Sequence, residues 1–501
     1  MSDKILVKRK IKPFNKIIRV DGDKSISIRW LLLASQTMGI SKAYGILQSE
    51  DIFSTIKCLK KLGVKIKIKK SYCELHGVGL NGFKIKKNLK LNAGNSGTLA
   101  RLILGLLIHS KKKITLTGDK SLSKRDFLRV IKPLKKFGSK FEYKKKGLPL
   151  SIIGTDQPKS IKYFENRGSA QCKSSIMLAS LNTPGETFIR AKKSRNHTEL
   201  FFKNLKVPIS IKNNKNFDLI KLKNVKKLKP INYRIPSDIS SSAFFIVLTA
   251  LSKKSKLLIK NVNINPSRTG VITILKKMGL KIFLKNKRTY KNEKISDILV
   301  KSSNNIKSIN CPSKLNSSAI DEFLLIFLVA AKAKGISYFK NLSELNQKES
   351  PRLIWGSKIL NYLGVKNKVT NNSLKIYGNP NLEINNKIII KDYLKDQQSY
   401  IIQNWLNLPK GKETVSISTT PDAISQDENT IIEVKCSMRD KYEDFNKLWL
   451  PQVYGQQHIL SCLGKKIEKT YLINYTPTVC RIWQIDYNQD FINWLVENLI
   501  K

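Results

Sequence analysis

Histidine and cysteine are scarce in this chain of 501 residues, and acidic side chains are far fewer than basic ones. The four histidines stand far apart and offer no metal-binding spacing. Seven cysteines are scattered without a single CxxC pair, which excludes a zinc ribbon or a disulfide framework and fits a reducing compartment. Long apolar runs are missing too. The stretches FFIVLTAL and FLLIFLVAA are too short to cross a bilayer and read as buried helices. The start, MSDKILVKRK, has no apolar signal-peptide core. A cytoplasmic protein with no membrane partner is expected.

Lysine is what the chain has in excess: 93 Lys and Arg face 36 Asp and Glu, a formal net charge of +57. The surplus is uneven. Residues 401–501 hold 11 basic and 12 acidic side chains, so it lies wholly in the first 400 residues. Four of the six tryptophans, Trp405, Trp449, Trp483 and Trp494, fall after residue 400. Character therefore changes at KDYLKDQQSY, residues 391–400, and the length suits two or three domains. Spread over every surface segment and mixed with Asn and Ile, the lysines fit a compositional bias of the source. A polyanion-binding surface is the alternative. Either way, the field attracts small anions.

A local pattern recurs in the first 400 residues: an amphipathic helix closed by glycine, then a strand. It reads TIKCLKKLGVKIKI, VIKPLKKFGSKFEY, TILKKMGLKIFL and KILNYLGVKNKV, closing at Gly63, Gly138, Gly279 and Gly364. A weaker copy, ELFFKNLKVPISI, lies between the second and third, so the period is about 70–85 residues. A second helix type alternates with it, polar at its start and apolar beyond: KSISIRWLLLAS, NSGTLARLILGLL, SAQCKSSIMLASL, SSSAFFIVLTALS and IDEFLLIFLVAA. Helices apolar over most of their surface are buried. Their polar starts then face a cleft, where unpaired N–H groups and the macrodipole favour anions.

Several residues at these starts could do chemistry. In DGDKSISIR, Lys24 and Ser25 open a helix and Arg29 lies one turn on, a setting for phosphate or carboxylate. NAGNSGTLAR offers Asn95 and Gly97, where backbone can approach an anion closely, and LSKRDFLR offers Arg125. In AIDEF, Asp321 and Glu322 open an apolar helix, and N-capping by itself explains one of the two carboxylates. NQKESPRL groups Lys348, Glu349 and Arg352, a carboxylate among cations suited to proton exchange beside an anion.

As an ordered set these motifs resemble the 5-enolpyruvylshikimate-3-phosphate synthase family over about residues 5–396. The resemblance implies an α/β fold of two similar domains built from repeated α/β units, an inverse α/β barrel. One domain would be residues 1–20 with 236–396, the other 21–235. It implies transfer of the enolpyruvyl group of phosphoenolpyruvate to the 5-hydroxyl of shikimate 3-phosphate, by a monomer, with no metal or organic cofactor. Lys24, Ser25, Arg29, Ser169, Gln171, Asp321 and Lys348 would bind shikimate 3-phosphate. Lys24, Asn95, Gly97, Arg125, Gln171 and Arg352 would bind phosphoenolpyruvate. Asp321, Glu349 and Lys24 would be catalytic, Asp321 taking the hydroxyl proton and Glu349 exchanging one with the methylene carbon. Two departures stand inside the match: Asp126 replaces the family's proline, and Pro351 its aspartate.

At IIIKDYLKD the family pattern reaches Asp396, but Gln397 and Gln398 occupy the places of its histidine and phosphoenolpyruvate-gripping arginine. The late family lysine has no counterpart. The sixth unit is expected to be incomplete, with unrelated sequence joined to it. In that tail, residues 397–501, TPDAI and IIEVKC read as short strands with Glu433 and Lys435 on one face. With PD upstream and WLPQVYGQQHIL downstream, the tail resembles the PD-(D/E)XK nucleases. That implies a small α/β domain with Asp422 and Glu433 holding Mg²⁺, Lys435 steering a water, and DNA as partner. A salt-bridged hairpin is the alternative. Three functions stay open: the transferase, the nuclease and an inactive chimera.

Overall fold

The computed structural model describes residues 11–382 other than Lys215 and Glu349. Beyond them it describes the backbone of four strands: Ala423–Ile424, Thr430–Cys436, Lys469–Tyr475 and Cys480–Gln484. Two compact units divide the chain, one of residues 11–386 and one of residues 1–10 with 387–501.

In the larger unit one plan repeats. A strand pairs in parallel with a second, which pairs antiparallel with a fourth, which pairs antiparallel with a third. Leu89–Asn92, Ile114–Thr117, Leu150–Ile153 and Lys140–Tyr143 follow it. So do Lys162–Glu165, Glu186–Lys192, Phe217–Lys223 and Ile209–Asn213. Two sheets borrow their first strand from far along the chain. Tyr233–Arg234 joins Met38–Tyr44, Tyr72–Val78 and Lys65–Lys69. Asn15–Ile18 joins Lys256–Asn263, Glu293–Lys301 and Lys281–Tyr290. The last sheet has Gly335–Phe339, Leu374–Gly378 and Asn367–Val369, with single bridges at Lys307 and Asn310 in the first strand's place.

The glycine-closed helices are Glu50–Lys61, Leu128–Lys136, Gly270–Lys277 and Arg352–Tyr362, and the four glycines after them all have positive φ. In the weaker copy, His197–Asn204, Lys206 takes that left-handed turn with φ 56°, a conformation L side chains adopt at a cost. The sequence lacks the glycine signal there, yet the turn is the same.

The alternating helices are Lys24–Ser35, Gly97–Leu107, Ala170–Ser180, Ile239–Leu251 and Phe323–Ala331. They form the centres of two hydrophobic cores. The first runs from Ile26 to Ile235 and the second from Ile239 to Ile376, with Phe14, Ile18 and Val20 against the second. Trp30 is fully buried and its indole N–H donates to Ile231 O at 3.0 Å, which ties the first helix to the end of its own half.

Capping departs from the sequence expectation at one place. Asp23, Ser96, Ser169 and Asp238 cap their helices through side-chain oxygens. Glu322 stands at the N-cap of Phe323–Ala331 and makes no such bond. Neither carboxylate of AIDEF caps the helix, because both are claimed by long-range partners described below. The smaller unit has a four-stranded sheet in which Thr430–Cys436 pairs antiparallel with Ala423–Ile424 and parallel with Lys469–Tyr475, which pairs antiparallel with Cys480–Gln484.

Helix contact in the first core is close enough to test. A Cβ on Gly105 would stand 2.2 Å from Ser175 O, backbone to backbone, so one helix would have to move. Gly105→Ala is expected to lower stability by about 1–3 kcal/mol. Urea unfolding reads this as a lower midpoint; an unchanged midpoint would show that the two helices do not meet there.

Candidate functional site

The polar helix starts converge on a set of charged groups. Asp321 sits at its centre. Its carboxylate pairs with Arg195, and its Oδ1 lies 3.4 Å from Lys348 Nζ and 3.4 Å from Arg352 Nη1. Burial pushes the Asp321 carboxyl up, but Arg195, Lys348, Arg352 and Arg268 outweigh it and hold the group well below the usual carboxylate range. Pro351 stands at the N-cap of the Arg352 helix and leaves Arg352 within reach of Asp321.

Lys24 opens the first helix about half exposed, its Nζ 3.7 Å from Asp51 and its backbone N–H donating to Asp238 at 3.0 Å. Ser25 is buried on the next position. Arg29 lies deeper than its spacing suggests. Its guanidinium donates to Thr198 Oγ1 at 2.8 Å, Ser25 O at 3.0 Å and Ser174 Oγ at 3.2 Å, and burial pulls its pKa down to about 10.

A second group gathers at the starts of the next two helices. Arg125 donates to Asn95 Oδ1 at 2.7 Å, and Asn95 donates to Asp119 at 2.5 Å. Gly97 makes room for that guanidinium: a Cβ there would stand 2.9 Å from Arg125 Nη1. Arg101 donates to Gln171 Oε1 at 2.6 Å, and Gln171 Nε2 to Thr98 Oγ1 at 3.1 Å. Ser169 caps the Gln171 helix, accepting from Cys172 N at 3.2 Å. That same helix carries Ser174 one turn on, so it links Arg101 and Gln171 to Arg29. Glu349, Asp422 and the side chains of Glu433 and Lys435 lie outside the described residues.

Four groups escape the sequence reading: Arg101, Arg195, Arg268 and the pairing role of Glu322. A signal for two of them exists in the repeat. An arginine precedes or opens a glycine-type helix in RDFLR, SRNHTE, PSRTGV and SPRL, at Arg125, Arg195, Arg268 and Arg352. Each lies within three residues of the helix start, and three of the four arginines act on Asp321.

An EPSP synthase (3-phosphoshikimate 1-carboxyvinyltransferase) family profile matches residues 8–388. The chain belongs to the EPSP synthase family. A 3-phosphoshikimate 1-carboxyvinyltransferase of Ruthia magnifica is 41% identical over 372 residues, covering 74% of this chain and 84% of that one. Its counterpart in Thermoanaerobacter sp. (strain X514) is 41% identical over 364 residues, covering 72% and 84%. The solved EPSP synthase of Acinetobacter baumannii superposes with a TM-score of 0.65 at 37% identity, covering 73% of this chain and 82% of that one. The family match stops at residue 388, before Asp396. Among the described residues no helix is long and apolar enough to cross a membrane.

The Asp321 cluster makes a prediction about acid stability. A carboxyl held low in the fold contributes stability that is present above its unfolded pKa of about 3.9 and lost as pH falls through the folded value. Arg195→Ala raises the folded value, so the variant is expected to lose stability at neutral pH and to fall less steeply below about pH 4. Urea midpoints at pH 7 and pH 3 test this; parallel pH curves for the two proteins would refute it.

Proposed function

We propose that the larger unit transfers the enolpyruvyl group of phosphoenolpyruvate to the 5-hydroxyl of shikimate 3-phosphate, releasing phosphate. The observation that carries the reading is Asp321, a proton acceptor among Arg195, Lys348 and Arg352 at the start of an apolar helix. Both proposed substrates are anions, and this is a cationic setting with one carboxylate to serve a hydroxyl.

Lys24, Ser25, Arg29, Ser169, Gln171, Asp321 and Lys348 would hold shikimate 3-phosphate. Lys24, Asn95, Gly97, Arg125, Gln171 and Arg352 would hold phosphoenolpyruvate. In the addition step the 5-hydroxyl oxygen bonds to the central carbon of phosphoenolpyruvate while Asp321 takes the hydroxyl proton. The methylene carbon gains a proton from Glu349 and becomes a methyl group. In the elimination step the carbon–oxygen bond to phosphate breaks, the methyl group returns a proton to Glu349, and phosphate leaves with the other proton. No metal enters this scheme. The two cores would be the two domains, residues 1–20 with 236–396 and 21–235, in a monomeric cytoplasmic enzyme.

Calorimetry is expected to show shikimate 3-phosphate binding that weakens with salt, because a cationic cleft is screened. Lys24→Ala is expected to abolish it, and no detectable heat at millimolar ligand would refute the reading. Phosphate release from both substrates is the direct assay. Turnover is expected to be lower by at least about 10²-fold than in an intact family member, since glutamine stands at 398 and the late lysine has no counterpart. An ordinary turnover number would overturn that expectation.

A second reading concerns the smaller unit. The strand bearing Glu433 and Lys435 lies between an antiparallel and a parallel neighbour, and the two residues, two apart, share one face of that sheet. Degradation of a linear duplex with Mg²⁺, lost in both Asp422→Ala and Glu433→Ala, would support it. Degradation that persists in both variants would exclude it.

A further inference from the structure

Glu322 follows Asp321 directly but faces other partners. It is 2% exposed, and its Oε1 accepts a hydrogen bond from the Ser240 hydroxyl. Ser240 Oγ in turn accepts from Arg268 Nη2 at 2.7 Å. Arg268 is 2% exposed, with Nη1 3.5 Å from Asp23 and Nη2 3.4 Å from Asp238. These residues come from four places: the end of a crossover at Asp23, the start of Ile239–Leu251, the loop before Gly270–Lys277, and the start of Phe323–Ala331. The relay runs one way, from guanidinium N–H to hydroxyl to carboxylate, so it is arranged to receive negative charge on Glu322.

We propose that Glu322 is a positioning residue for the transferase reaction, whose charge state sets how tightly the surrounding cations hold the Asp321 carboxylate. The proposal rests on the enolpyruvyl-transfer reading for its kinetic consequence only. Asp321 is over-supplied with cations, which makes it a weak base. A second negative charge on the adjoining residue offsets part of that supply and makes Asp321 a better proton acceptor. The charged groups acting on Glu322 are Asp321, Arg268 and Arg195, with Asp23 and Asp238 behind Arg268. Burial first, then Asp321, raise the Glu322 carboxyl to about 7, against the pull of Arg268, Ser240 and Arg195. Glu322 is therefore neutral below about pH 7 and charged above it, so Asp321 gains basicity as pH rises through neutrality.

Two readouts test this, one of them independent of turnover. Carboxyl-carbon NMR titration of the whole chain with labelled glutamate, compared with Glu322→Gln, is expected to identify one glutamate titrating near neutrality. In Ser240→Ala, which keeps Glu322 and removes one hydrogen bond to its charged form, that titration is expected to move upward by at least about half a pH unit. Phosphate release against pH is expected to show a rising limb near neutrality, absent in Glu322→Gln and displaced upward in Ser240→Ala. If wild type releases no phosphate, the transferase reading fails while the titration still decides whether Glu322 is the neutral-range group. A Glu322 that titrates among ordinary glutamates, or a kinetic limb unchanged in Glu322→Gln, overturns the proposal. Glu322→Asp, which keeps the charge, is expected to restore the limb in part; a structural role alone would leave no limb to restore.

Discussion

One buried guanidinium, Arg268, ties together helix starts from both cores of the larger unit. Burial alone would make Arg268 costly, but Asp23, Asp238, Glu322 and Asp321 more than offset it and raise its proton affinity. Asp23 caps the first helix through Ile26 N, and Asp238 both caps Ile239–Leu251 and accepts from Lys24 N. A helix start of the first core and one of the second are thus tied to the same side chain. Removing such a cation leaves uncompensated buried carboxylates, a loss of about 3–5 kcal/mol in comparable sites. The Asp23 carboxyl is itself pushed up, by burial first and then by Asp238, against the pull of Arg268 and His197.

A second buried connection lies beside the first. His197, from the first half, pairs with Glu293 of the second at 2.6 Å, both nearly fully buried. Asn263 and Asn265 donate to the other Glu293 oxygen at 3.0 and 3.1 Å, and Asn265 also donates to Asn196 at 2.8 Å. Burial raises the Glu293 carboxyl, and His197 with the two asparagines outweighs it, leaving the group low. The two halves are therefore joined near their crossovers by polar groups whose partners are fixed. Away from these points each keeps its own apolar core.

Much of this fold is legible from residues that act locally. The buried helices declare themselves by apolar composition, and their partners by glycines such as Gly63 and Gly279 that the left-handed turn favours. Lys206 makes the same turn without that signal, so the weak copy is visible only through its neighbours. In AIDEF local capping explains one carboxylate and the family resemblance singles out Asp321, whereas the partners that hold the pair lie 82 residues away at Ser240 and 126 away at Arg195. Arg101, Arg195 and Arg268 are hidden for a related reason. Among 93 basic side chains a lone arginine looks like a solvated charge, and only pairing across the fold singles it out. The recurrence of arginine before successive glycine-type helices is the one sequence trace of that pairing.

The same recurrence supplies three of the four cations that act on Asp321, Lys348 being the fourth. Arg125, Arg195, Arg268 and Arg352 each lie within three residues of the start of a glycine-type helix, so a charge recurs along with the turn. The copies then diverge in what they grip: Arg125 holds Asn95, Arg268 holds two helix caps, and Arg195 and Arg352 hold Asp321. In each case a partner satisfies a charge that the repeat supplies. Surface lysines scattered over the first 400 residues add a long-range field that salt screens within about 10 Å at 0.1 M. The paired arginines act at hydrogen-bond range, where screening is weak. In the proposed reaction, selectivity for an anion of given shape would rest on such short-range groups, Lys24 and Lys348 among them, and the remaining lysine excess would affect chiefly the rate of encounter.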